Sequence, residues 1–142
     1  IIICTSNIGS KILLDSLSEQ NIMWEEAKER VLLELRQVMK PELLNRFDDI
    51  IVFQPHDMSN LSKIAVLELN QLAKRLSEKE ITLIWSEQIP MLIANKANDP
   101  GNGARPLKRY IQDNIEGQIA KAIIEQTLKP GEEIEIKESW IV

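Results

Sequence analysis

Apolar side chains recur at helical spacing in three long stretches of the chain. Trp24, Ala27, Val31, Leu35 and Val38, with Leu32 and Met39 widening the stripe, predict an amphipathic helix over about residues 21–39, which Lys40-Pro41 breaks. Leu61, Ile64, Ala65, Leu69, Leu72 and Leu76 predict a second over about residues 60–79, with the Glu68 carboxylate lifted to its rim. Leu107, Tyr110, Ile111, Ile115, Ile119, Ala122 and Ile123 predict a third, opened by Pro106 and ending near Leu128, ahead of Pro130-Gly131.

Between these lie shorter signals. Ile1-Ile2-Ile3-Cys4 reads as a hydrophobic strand closed by the turn-rich Thr5-Ser6-Asn7-Ile8-Gly9-Ser10, and residues 13–20 show no clear period. Pro41 suits the first position of a short helix through Phe47. Ile50-Ile51-Val52-Phe53 and residues 81–85 read as strands. Ser86 is the expected cap of a helix that tolerates Pro90 in its first turn and fades near Asn95. Asn98-Asp99-Pro100-Gly101-Asn102-Gly103 is the strongest loop signal. Residues 133–137 alternate charge with isoleucine, predicting a strand that pairs with Trp140-Ile141-Val142 across a short turn. The polar stretch from Gln54 to Ser59 places a boundary between two subdomains, residues 1–55 and 56–142. The expected class is α+β, mainly helical.

Composition removes several functions. At 44% hydrophobic and 27% charged residues, the chain is expected to be ordered. One cysteine, Cys4, and one histidine, His56, make neither an internal disulfide nor a zinc site. No apolar run approaches a membrane span, and the protein reads as cytoplasmic. A formal charge of −5 without a Lys/Arg-rich run argues against a nucleic-acid partner. The five glycines form no Gly-x-x-x-x-Gly-Lys-Ser/Thr phosphate loop. His56 in a polar linker is expected to be exposed and not part of a triad, Cys4 to be a small buried hydrophobe, and Asp48-Asp49 and Glu132-Glu133 to be solvated.

Three places carry unusual chemistry. Arg105 precedes Pro106 at a helix start, where a cation meets the positive end of the macrodipole at a cost of about 0.3–1 kcal/mol. An anion would repair this, received by Arg105 together with the backbone of Gly103 and Ala104; an exposed arginine bonded to Asp99 or to a carbonyl is the equal alternative. Arg46 is a guanidinium suited to phosphoryl charge, or else a partner for Asp48 or Asp49. Asn7 sits in a turn directly after an apolar strand, where α/β folds place ligand-contacting groups, or is an ordinary turn asparagine.

Taken in order, the segments Ile2-Ile3-Cys4-Thr5-Ser6-Asn7-Ile8-Gly9-Ser10, Pro41-Glu42-Leu43-Leu44-Asn45-Arg46-Phe47-Asp48-Asp49-Ile50-Ile51-Val52-Phe53 and Gly103-Ala104-Arg105-Pro106-Leu107-Lys108-Arg109 resemble the end of the second ATPase module of Clp-type AAA+ unfoldases, most closely the ClpB disaggregases. The resemblance implies that residues 1–55 are the tail of a large α/β ATPase subdomain and residues 56–142 a small helical subdomain with a short sheet. It implies that Asn7 is sensor 1, that Arg46 is an arginine finger reaching a neighbour's nucleotide in a homohexameric ring, and that Arg105 is sensor 2, with Gly103 and Ala104 beside the nucleotide. It further implies ATP, with Mg held by ligands outside these residues, unfolded or aggregated polypeptide clients, and cooperation with the DnaK chaperone system.

Protease-associated members carry an Ile/Leu-Gly-Phe/Leu docking loop between sensor 1 and the helix before the finger. That interval holds no such tripeptide here, which favours the disaggregase branch over a regulatory subunit of a Clp protease. The chain departs from the family pattern in lacking aromatics at Met39 and Asn102 and the usual Gly-Tyr before Asp99-Pro100. On this resemblance the 142 residues read as a fragment without ATPase activity of its own, whose first half lacks its sheet. Residues 1–4 or 50–53 are then expected to pair with another copy or to be poorly placed. A non-catalytic helical module that binds partners through its apolar faces is the reading of another class.

Overall fold

Leu61, Ala65, Leu69, Leu72 and Leu76 line one face of α4 (Met58–Ser77) and are buried, so the stripe in the sequence is a seam of the main core. The computed structural model describes residues 1–18, 23–99 and 102–141. Asp57 fixes the start of α4, its carboxylate accepting the Asn60 amide at 2.6 Å. Past the end of the helix Glu80 takes a φ of 59°, and the Ile81 amide reaches back to the Leu76 carbonyl at 3.1 Å. That left-handed stop delivers the buried Ile81 directly into β1 (Thr82–Ile84).

α5 (Ile89–Lys96), α6 (Arg105–Tyr110), a π-helical segment (Ile111–Glu116) and α7 (Gly117–Ile124) form the crossover to β2 (Glu133–Glu135). β2 runs parallel to β1, with Thr82 opposite Glu133, Leu83 opposite Ile134 and Ile84 opposite Glu135. Parallel strands require such a crossover. Leu69, Ile89, Ile93, Leu107, Ile115 and Ile119 are the largest fully buried side chains of this unit, His56–Val142.

The π segment follows from the spacing of its apolar residues. Leu107, Ile111, Ile115 and Ile119 recur every four residues and are only 1%, 4%, 0% and 1% exposed. At 3.6 residues per turn, each step of four overshoots the seam by about 40°, so three steps would carry Ile119 roughly 120° away from Leu107. Widening the helix to the π register absorbs the overshoot and keeps all four against the core. Arg75 of α4 ties down the same segment through Glu116 at 2.9 Å.

The second compact unit, Ile1–Pro55, is built from α1 (Ser10–Ser18), α2 (Trp24–Val38) and α3 (Pro41–Leu44). Gly9, with φ 76°, starts α1 and gives its carbonyl to the Leu13 amide at 3.1 Å. A Cβ at Gly9 would lie 2.7 Å from Val31 Cγ1, so glycine is what lets α1 approach α2. Ala27 and Val31 are buried beside this contact.

Several expectations need correction. Residues 10–18 form a helix where no period was legible, because consecutive Ile12-Leu13-Leu14 obscure the face that packs. Residues 1–4 and 50–53 are not strands: among the described residues they find no ladder partner, and Ile1, Ile2, Ile3, Ile51 and Phe53 are exposed. Cys4 is accordingly exposed, not buried. Val38 falls off the buried stripe of α2 at 63% exposure, and the predicted start of that helix at residues 21–22 lies outside the described residues. The short helix after Lys40 ends at Leu44 and continues as turns through Phe47. Ser86 does not cap α5; its carbonyl accepts the Ile89 amide at 3.1 Å and Gln88 is the capping position. The last helix stops at Ile124, not near Leu128. Trp140 closes a 3-10 turn (Glu138–Trp140) and Ile141 turns into the core, because β2 already pairs with β1; Val142 lies outside the described residues.

Two substitutions test this account. Gly9→Ala should destabilise unit Ile1–Pro55 by about 2–4 kcal/mol in denaturant unfolding, combining overpacking against Val31 with a left-handed backbone. Gln126 ends α7 at φ 57° while the Thr127 amide donates to Ala122 at 2.9 Å. Gln126→Gly should therefore raise stability by about 0.5–1 kcal/mol, and a fall in melting temperature would refute the strained-stop assignment.

Candidate functional site

Arg105 opens α6 with an exposed side chain. Gly103 reaches it from a bridge with Asp99 at φ 61°, in open space, so the backbone conformation is what selects glycine there. The Asp99 carboxylate accepts the Asn102 side-chain amide at 2.7 Å, and Arg105 forms no ion pair among the described residues. The backbone of the turn is partly engaged: the Arg105 amide donates to Asn102 and the Lys108 amide to Ala104, each at 3.4 Å, and Pro106 has no N–H. Positive charge at this helix start therefore comes mainly from side chains.

Lys108, Arg109, Gln112 and Asp113 line a shallow groove together with Arg105. Sequence reasoning named Lys108 and Arg109 only as part of a motif. The signal that groups them was present, since positions three, four and seven after Arg105 share a helix face. Arg109 Nε stands 3.6 Å from Asp113 Oδ2, with the two side chains 85% and 64% exposed.

In the other unit, Asn7 lies in the turn before α1 and its backbone carbonyl accepts the Ser10 amide at 3.2 Å. Its side chain is exposed and makes no hydrogen bond among the described residues. It borders a largely apolar cavity of about 340 Å³, shared with Val31 and Leu35 of α2 and with Phe47, Asp49 and Ile51. Arg46 follows α3 in a turn held by its own amide on Leu43 at 3.0 Å. It is exposed and does not line that cavity, although Leu44 and Phe47 do. The alternative partners are not engaged with it: no ion pair joins Arg46 to Asp48 or Asp49, and Asp49 instead accepts the Ile50 amide at 2.8 Å. His56 is exposed.

A family model described as the C-terminal, D2-small domain of ClpB protein matches residues 57–136. The chain belongs to the ClpB family. The chaperone protein ClpB of Lactococcus lactis subsp. cremoris is 42% identical over 137 residues, covering 96% of this chain and 16% of the relative. ClpB of Aquifex aeolicus is 45% identical over 136 residues, covering 92% of this chain and 14% of the relative. This ClpB-family chain thus spans about one-sixth of the length of such relatives. Among solved structures, the Saccharomyces cerevisiae Hsp104:casein complex in its extended conformation matches with a TM-score of 0.82 and 25% identity, over 99% of this chain and 24% of that one. Among the described residues, no helix is long and apolar enough to cross a membrane.

Tyr110, the one tyrosine of this ClpB-family chain, closes α6 and packs against the core, and burial raises its phenol above the ordinary value of 10.0. Absorbance at the phenolate band should show its ionisation midpoint above 10.0. Because the folded state holds the proton more tightly than the unfolded chain, stability should be complete below 10.0 and fall as pH rises through the folded midpoint. A midpoint at or below 10.0 would refute the buried setting.

Proposed function

We propose that this chain is the C-terminal part of an ATP-driven protein disaggregase, working in a cytoplasmic homohexameric ring that threads unfolded or aggregated polypeptide in cooperation with the DnaK system. The observation that carries the reading is Arg105: an exposed guanidinium with no ion-pair partner among the described residues, opening α6 within the segment matched to the ClpB D2-small domain. The likeness to Hsp104 in a structure with casein supports a polypeptide client.

On this reading residues 1–55 are the tail of the large ATPase subdomain and residues 56–142 the small one. Arg105 contacts the phosphates of its own subunit's ATP, with Gly103 and Ala104 shaping the approach. Asn7 orients the attacking water through its exposed carboxamide. Arg46 reaches into the neighbouring subunit and stabilises the charge that develops on the transferred phosphoryl group, a role worth roughly 10³–10⁵ in rate for arginine fingers. On the same reading the Mg that accompanies ATP is held by ligands outside these residues. Dividing the cationic groups between two subunits ties hydrolysis to assembly.

Mixed rings of the whole protein test the assignment. Arg46→Ala throughout should lower ATP turnover by roughly 10³-fold or more while nucleotide affinity changes little. Adding subunits that cannot bind ATP but retain Arg46 should restore turnover at the Arg46→Ala subunits beside them. Failure of that rescue would overturn the action in trans.

A further inference from the structure

We propose that Lys108 and Arg109 are further polyphosphate-binding residues of the Arg105 site, and that Asp113 is the internal competitor Arg109 leaves when the polyanion arrives. The inference rests on the reading of Arg105 as a nucleotide-contacting residue and extends it to side chains that reading does not use. Arg105, Lys108 and Arg109 line one groove and are all exposed, with Gln112 adding an amide donor and Asp113 the opposing carboxylate. Three cations against one anion concentrate positive charge locally in a chain whose formal charge is −5.

The arrangement suits a ligand with several linked charges. Arg105 and Arg109 stand about 6 Å apart along the helix axis, with Lys108 between them, so a single compact anion would not engage all three equally. Two planar guanidinium forks and one ammonium point charge are the combination suited to phosphate oxygens. The Arg105 and Lys108 amides already donate within the turn, which leaves fewer backbone donors to add to the three side chains. The Arg109–Asp113 contact, at 3.6 Å with both groups largely exposed, is weak enough to exchange.

Inorganic tripolyphosphate titrated into the 142-residue chain at low salt, followed by backbone and arginine NMR shifts, tests the proposal. Lys108→Gln and Arg109→Gln should each weaken binding by about threefold to tenfold, and Asp113→Asn should tighten it by about twofold, with unchanged circular dichroism. Unaltered binding in Lys108→Gln and Arg109→Gln overturns the proposal. If Arg105→Gln alone weakens binding, the proposal falls and the reading of Arg105 stands; if none of the three matters, both fall. A hexaglutamate peptide that binds more tightly than tripolyphosphate also overturns it, in favour of an acidic protein partner.

Discussion

The four-residue apolar repeat from Leu107 to Ile119 is the constraint on which the small unit turns. An ordinary α-helix cannot keep residues spaced by four on one line, so burying all of them requires the helix to widen in its middle. The same seam fixes what faces outward. Arg105 and Arg109 each lie two residues from Leu107, about 200° around the helix, so packing Leu107 into the core turns both guanidinium groups to solvent. The outward direction of these candidate side chains is thus set by apolar residues of the core.

The two units are stabilised differently. His56–Val142 has a continuous core drawn from α4, α5, the π segment and both strands. Ile1–Pro55 rests on a close approach of Gly9 to Val31 and on the burial of Ala27, while its extended apolar segments remain exposed. Extended backbone with unpaired hydrogen-bonding groups and large apolar side chains is a template for a further strand. Asn7 and the turn carrying Arg46 adjoin these two segments in sequence.

Helix periodicity was legible where one face is buried and the rest solvated, as in α2, α4 and the run from Arg105 to Ile124. α1 was not, because it is only nine residues long and three successive apolar residues blur its face. The apolar runs at residues 1–4 and 50–53 have strand composition, but a strand is a property of a pair, and no local pattern reports whether a partner is present. Trp140-Ile141 failed for the converse reason: β2 had a better partner far away in sequence. Of the candidate site, the helix-start cation Arg105 stood out by elementary electrostatics. Asn7 and Arg46 carried weaker signals, a turn after an apolar run and a guanidinium beside two carboxylates, and took their roles only through the family resemblance. The π register was also hidden, although the spacing that demands it is written in four residues.

The state of each cation before any ligand arrives governs how much of its attraction survives as binding. A surface ion pair is worth about 0.2–1 kcal/mol, and an arginine already so paired must give that up first. Arg46 and Arg105 have no such debt among the described residues, since Asp49 is occupied by a backbone amide and Asp99 by Asn102. Asp49 and Asp99 each accept a hydrogen bond from another donor, and neither guanidinium is paired among the described residues. Arg109 differs, because Asp113 stands across from it. A helix that presents one uncommitted arginine and, one turn later, one weakly committed arginine responds in two stages to rising anion charge, so a polyanion gains from the second cation only after it displaces the carboxylate.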